Sequence, residues 1–403
     1  MRRQSTRREE KGQKTARSLE TTKPMQKESQ NGKKMNMRIH MFSTRPDGRC
    51  GIGVYTKYLK DEERRLGLDV KSTFVEPKKR NPLYYVKIAA EVTKGCDIAH
   101  VQFEYPFFGK LGPVTGIYIP IFYTSLRLLS RVLCFKIVTT MHAMWRSRNP
   151  QRFGKLGSVY TNIVNRFVFK FSDCLITFSE VVRNMLISEG VPKCKIYLTP
   201  HGSDAPIFMN KKECKKRIGL DPNKTVLTIF GFVKRSKGHD LLVKASEYLD
   251  KDIVILIAGG VRSDEDKIYL ENLKSIASDR TIFYGFVKNE DVPVILNATD
   301  VMVLPNRTTT ISGVLNWSLA YRLPTIASNL PYFKEIGEKY SCILLFESQN
   351  TTSLVDVIKR LLNNKELQNR LRTSCERFQN ENSFQRAAEK THATYLSCLE
   401  RQV

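Results

Sequence analysis

The chain has 403 residues, 66 Lys+Arg against 40 Asp+Glu, six His and a formal charge of +26. That length exceeds one compact core and predicts two domains, and a hydrophobic fraction of 41% gives each its own interior. Nine scattered cysteines, odd in number and without a C-x-x-C pair, argue against a disulfide framework or zinc site and for reduced thiols in a cytoplasmic setting.

Residues 1–36 carry 11 Lys/Arg and 4 acids, so the remaining chain still holds +19. The segment has no apolar stretch of the kind a secretory signal needs and is expected to be a disordered basic tail. The basic body suits either an anionic partner or a generic solvated surface. Gly112 to Met141 is the longest apolar stretch, but Arg127, Arg131 and Lys136 interrupt it, so no transmembrane helix is expected. A peripheral contact with anionic lipid stays open for the basic, aromatic region 105–170.

From Met37 onward, short β-runs alternate with helix-length segments. The first series is Met37–Phe42, Val70–Val75, Asp97–Gln102, Lys136–Thr140, Asp173–Phe178 and Lys195–Thr199. The second is Thr225–Phe230, Asp252–Ala258, Thr281–Tyr284, Asp300–Leu304, Thr325–Ala327 and Cys342–Leu345. Most are near-continuous Val/Ile runs, as strands covered on both faces must be. Between them, Tyr160, Ile163, Val164, Phe167, Val168 and Phe171 recur at the helical period. The alternation predicts an α/β chain of two doubly wound, Rossmann-like domains facing a central cleft. The predicted bounds are 37–205, 206–382 and a C-terminal helix, 383–403, packing back on the first domain.

Three loops follow strand ends and open helices. The first, RPDGRCGIGVYTKYL, places Gly51 and Gly53 at a helix start, either as an anion-binding turn or as a plain β-α turn; it does not fit G-x-G-x-x-G. The second, FGFVKRSKGHD, clusters Lys234, Arg235 and Lys237 between Gly231 and Gly238. Cations there can hold a diphosphate and stabilise charge growing on it, or simply form a solvated turn. The third, LPNRTTTISGVLNWSLAYRLP, offers the backbone amides of Ser312, Gly313 and Val314 to a phosphate.

In this combination the chain resembles the GT-B-fold retaining glycosyltransferases of family four, also called group one. Their G-x-x-x-x-x-K-G element matches Gly231 to Gly238 with Lys237 as its cation, although Phe232 stands where Arg is usual and Lys234 or Arg235 substitutes. Gly51-Ile52-Gly53 matches the first-domain glycine loop, and Thr140-Met141-His142 a strand whose histidine approaches the donor sugar. Pro200-His201-Gly202-Ser203-Asp204 matches the linker. DIAHVQFEYPFFG resembles an element that puts Gln102, Glu104 and Tyr105 at a strand end, and DCLITFSEVVRNML a strand-Ser-helix unit with Ser179 as N-cap. Where many members carry two glutamates eight residues apart, this chain has Thr309 and Trp317, a variant branch lacking the paired-glutamate motif. Trp317 reads as core packing and His201 as structural.

The resemblance implies a hexosyltransferase-type enzyme moving a sugar from a nucleotide-diphosphate donor to a glycan or lipid-linked acceptor with retention. It implies no metal and no cofactor beyond the co-substrate. The catalytic candidates are His142, Lys237 and Glu104. Glu104 also fits an N-cap or ion-paired loop residue, and His142 a satisfied core histidine. His40, His100 and His239 show no ligand spacing. The alternative is a catalytically degenerate subunit of a glycan-synthesis complex. No nucleic-acid module is recognisable, so a nucleic-acid partner is not expected.

Overall fold

A computed structural model describes residues 37–47, 50–76, 81–111, 114–145 and 154–401. The predicted basic tail and Gly48 lie outside them.

Six strands form the first sheet: β1 (Arg38–Ser43), β2 (Asp69–Phe74), β3 (Ile98–Phe103), β6 (Lys136–Met141), β7 (Cys174–Thr177) and β8 (Ile196–Leu198). Between β3 and β6 lies a small antiparallel hairpin, β4 (Lys110–Leu111) and β5 (Val114–Thr115). Strands of two residues leave no periodic trace, and the hairpin was not expected. The second sheet contains β9 (Thr225–Phe230), β10 (Ile253–Ala258), β11 (Thr281–Phe283), β12 (Val301–Leu304), β13 (Thr325–Ser328) and β14 (Ile343–Phe346).

The orders are β2-β1-β3-β6-β7-β8 and β11-β10-β9-β12-β13-β14, with every pairing parallel. The strand order reverses between β1 and β3 in one lobe and between β9 and β12 in the other. Open parallel sheets bind ligands at such switch points, beyond the carboxyl ends of the strands.

Helices cover both faces of each sheet, so the strands are buried along nearly their whole length. On the first sheet, Phe42, Val101 and Ile137 pack against Tyr85, Phe122, Leu126, Val164 and Val168 from helices Pro82–Val92, Ile119–Leu133 and Gly154–Phe171. On the other face, Ile39, Met41 and Ile98 meet Tyr55 and Leu59 of helix Gly51–Arg65. The last helix, Phe384–Glu400, joins that layer through Phe384, Ala387, Ala388 and Tyr395. Burying each such large apolar side chain contributes about 1.5–3 kcal/mol. Helix starts are set by short polar caps: Ser179 accepts from the Val182 amide, Ser312 from Leu315 and Ser383 from Arg386.

The lobes meet away from the cleft as well. Glu335 of the second lobe accepts from the Glu180 and Val181 amides of the first, at 2.9 and 3.2 Å. A carboxylate there satisfies donors that a helix start leaves open.

Candidate active site

In the second lobe, β9 runs into a 3-10 turn, Arg235–Lys237, and then helix His239–Ala245. Gly238 bridges the two at φ 67°. A Cβ there would collide with the Pro305 carbonyl, so the β9 and β12 loops touch backbone to backbone. Arg307 pins this contact. Its amide donates to Ser236 O at 2.8 Å and its guanidinium to Arg235 O at 2.8 Å. It also grips both oxygens of Asp240, at 2.8 and 2.7 Å. A turn fixed in this way needs little rearrangement to receive a ligand.

The turn directs Lys237 back toward the strand end, where Nζ donates to Phe230 O at 3.4 Å. Burial, then the nearby Lys234 and Arg262 charges, lowers this amine to about 8. After β10, Gly259 and Gly260 precede Arg262, whose guanidinium carbon lies 3.6 Å from the centre of the Phe232 ring. After β12, Ser312 caps helix Gly313–Ala320, which turns its first amides toward the same space.

The first lobe answers from the opposite side. Helix Gly51–Arg65 begins without a side-chain cap and without an acid in its first turn, so its N-terminal end stays positive. Glu104 follows β3, and His142 follows β6. His142 Nε2 lies 2.8 Å from Gln102 Oε1. Burial first, then the nearby His201 and His100, holds His142 well below the usual imidazole range and therefore neutral.

These elements enclose one cavity of about 400 Å³. Of the sequence-predicted residues, Gly51, Glu104, His142, Lys237, Gly313 and Val314 line it together. Gly53, Lys234, Arg235 and Ser312 do not. Gly53 is packed so closely on the Arg45 carbonyl that no Cβ fits, which places the helix start against β1. Arg235 is exposed and Lys234 half-buried, although Lys234 is near enough to act on Lys237. Ser312 spends its hydroxyl on the cap.

Three wall residues were missed or read differently. Arg262 is a second cation in the cavity, close enough to Glu104 to feel its charge across the cleft. The only sequence hint is the Gly-Gly pair ending β10. His201 lines the cavity from the linker and approaches the start of helix Gly313–Ala320. Trp317 is not wholly internal: it packs edge-on against Phe230 with its other side in the cavity. The cavity thus combines two cations and two helix N-termini with a carboxylate and a neutral imidazole. The positive groups suit a diphosphate, and Glu104 and His142 suit hydroxyl groups beside it. Among the described residues, no three His, Cys, Asp or Glu come together as a metal cluster.

Comparison with known proteins agrees with this geometry. Residues 33–205 match the family described as Glycosyltransferase Family 4, and residues 210–377 match Glycosyl transferases group 1. The alpha-D-kanosaminyltransferase of Streptomyces kanamyceticus is 23% identical over 291 residues, 71% of either chain. The lipopolysaccharide core biosynthesis mannosyltransferase LpsB of Rhizobium meliloti is 26% identical over 177 residues, 41% of this chain and 50% of that one. Among solved structures, sucrose-phosphate synthase from Thermosynechococcus elongatus superposes with TM-score 0.72 at 17% identity, covering 90% of this chain and 98% of that one. Anabaena HepE, solved with UDP and glucose, also reaches 0.72, at 13% identity and 90% and 100% coverage. At such identities the structural likeness is one of fold. With both halves of the chain matched in sequence, and both sheets in architecture, the protein belongs to the group 1, family 4 glycosyltransferases and has their GT-B fold.

Proposed function

We propose that this glycosyltransferase takes a sugar from a nucleotide-diphosphate donor and passes it, with retention, to a glycan or lipid-linked acceptor. The observation that carries the reading is the convergence of Lys237, Arg262 and the Gly313 helix start on one cavity with His142 and Glu104. The diphosphate lies against the cations and amides, and the sugar extends toward His142.

As the bond from the anomeric carbon to the diphosphate breaks, negative charge grows on the leaving oxygen. Lys237 and Arg262 stabilise that charge, each charge-assisted hydrogen bond contributing about 1.5–3 kcal/mol. The acceptor hydroxyl forms the new bond from the face the leaving group vacates, and its proton passes to the departing phosphate oxygen. This scheme uses side chains and backbone only, with no cofactor. Thr309 and Trp317 replace the paired glutamates, so sugar recognition falls to His142 and Glu104.

The acceptor side of the reading includes a membrane surface. Helices Pro82–Val92, Ile119–Leu133 and Gly154–Phe171 pack side by side on the outer face of the first lobe. Val132, Leu156, Val159 and Leu83 point outward there, with Val132 77% and Leu156 86% exposed. Ile163, part of the apolar helical stripe in the sequence, is exposed with them. Lys87, Arg131, Arg166 and Lys170 are exposed on the same three helices, and apolar groups interspersed with cations suit an anionic bilayer. Among the described residues no helix is long and apolar enough to cross a membrane. The exposed apolar side chains and their neighbouring cations support a peripheral role at the cytoplasmic face of a membrane.

The direct test offers the purified chain a panel of nucleotide sugars with short acceptors. Product anomeric configuration, read by proton NMR, should match the donor's. Inverted product refutes retention. A chain that binds donor but neither transfers nor hydrolyses it is the degenerate subunit instead.

A further inference from the structure

His142 is tied to the far side of its lobe by a continuous set of buried hydrogen bonds. Its Nε2 lies 2.8 Å from Gln102 Oε1. Gln102 Nε2 lies 3.2 Å from His100 Nε2, which is also 2.7 Å from Thr140 Oγ1. His100 Nδ1 lies 2.6 Å from the Tyr395 hydroxyl, and that hydroxyl donates to Glu63 Oε1 at 2.9 Å. Glu63, His100, Gln102 and Tyr395 are wholly buried, so their polar atoms turn to one another, and Glu63 Oε2 is left without a partner among the described residues.

The orientation of Gln102 gives the chain a direction: its amide nitrogen faces His100 and its carbonyl oxygen faces His142. Burial raises the Glu63 carboxyl to about 8, so near neutral pH it keeps a proton; with that proton on Oε2, Oε1 is free to accept from Tyr395. The Tyr395 oxygen therefore accepts from His100 Nδ1–H. Burial keeps His100 neutral, lowering it to about 3, so the ring has a single N–H. His100 Nε2 is then bare and accepts from Thr140 and from the Gln102 amide. That leaves the Gln102 carbonyl facing His142, and a carbonyl only accepts.

We infer that Gln102 is a positioning residue, and that the chain Glu63–Tyr395–His100–Gln102 holds His142 as its Nε2–H tautomer. What His142 then offers a substrate hydroxyl is a lone pair at Nδ1. The use made of that lone pair rests on the proposed sugar transfer; the tautomer itself does not. Tyr395 belongs to helix Phe384–Glu400, so the end of the chain helps set the state of a cleft residue.

The test uses the full chain with 15N-labelled histidine. Long-range proton–nitrogen correlation spectra read each ring's tautomer without substrate, and His142→Asn identifies its signal. Wild type should show His142 protonated at Nε2 and bare at Nδ1. Gln102→Leu should release the ring to a mixture, whereas Gln102→Glu, which also accepts, should keep Nε2–H. Tyr395→Phe removes one oxygen and should reverse the chain. His100 then loses the acceptor at Nδ1 and takes its proton at Nε2, the Gln102 amide turns, and His142 shifts to Nδ1–H. Both Gln102→Leu and Tyr395→Phe should lower the transfer rate by about tenfold or more with nucleoside-diphosphate affinity unchanged. An Nδ1–H tautomer in wild type, or a His142 signal unmoved in both variants, overturns the inference. A wild-type chain that transfers no sugar overturns the proposed activity instead.

Discussion

A methyl group built on Gly231 would stop 2.6 Å from Nζ of Lys237. The glycine that follows β9 therefore makes the space in which the lysine ammonium sits, six residues downstream by way of the Arg235–Lys237 turn. Gly231 also holds φ 94°, where a side chain is strained. Gly231→Ala should cost about 1–3 kcal/mol in stability and displace the ammonium from the cavity. Calorimetry should then show at least about a tenfold loss in affinity for a nucleoside diphosphate.

Lys237 gives binding a characteristic pH dependence. Burial and neighbouring cations bring the amine to about 8, so it is charged below that pH and neutral above it. A bound diphosphate favours the charged form, so binding draws in a proton when the amine is partly neutral. Affinity should fall as pH rises from 7 to 9, a range in which an ordinary lysine near 10.4 would not titrate. Lys237→Arg should flatten that profile, as titrations at several pH values would reveal.

The Arg307–Asp240 fork joins the loops that follow β9 and β12. Burial works against the Asp240 charge, but Arg307 and Tyr269 outweigh it and hold the carboxyl at about 2. The folded value lies below the unfolded one of about 3.9. This stabilisation is therefore complete above about pH 4 and is lost as pH falls toward 2. Arg307→Met should cost about 1–3 kcal/mol at pH 7. The deficit should shrink in melts at pH 3.

The exposed apolar helices of the first lobe predict salt-sensitive binding to anionic vesicles. The chain should float with phosphatidylglycerol liposomes at low salt and less so at high salt, and poorly with phosphatidylcholine. Val132→Asp and Leu156→Asp should reduce flotation without changing thermal stability, because both side chains already face solvent.

Much of the architecture was legible because parallel strands buried on both faces are written as continuous apolar runs. Ile253–Ala258 is wholly apolar and Val301–Leu304 likewise, and the predicted strands recur at the expected places in both sheets. Lys237 was legible because its glycines flank a strand-to-helix turn. Arg262 was not: it is one cation in a polar loop, and only the folding of β10 beside β9 brings it to the cavity. The bonds of Arg307 to Asp240 and of Tyr395 to His100 escaped notice for a related reason: the partners lie 67 and 295 residues apart, beyond any local pattern. Ile163 misled because the true buried row of its helix, Thr161, Val164, Asn165 and Val168, contains polar residues, and Asn165 bonds internally to Tyr105 and Trp145.

The proposed function has Lys237 grip a pyrophosphate between the lobes. Isothermal titration of nucleoside diphosphates into wild type and Lys237→Ala at pH 7 addresses it most directly. One nucleotide should bind wild type at a single site, and the variant, with an unchanged melting profile, should bind it about 10- to 150-fold more weakly, the equivalent of one charge-assisted hydrogen bond. Equal affinity in the two proteins would rule out that role for Lys237.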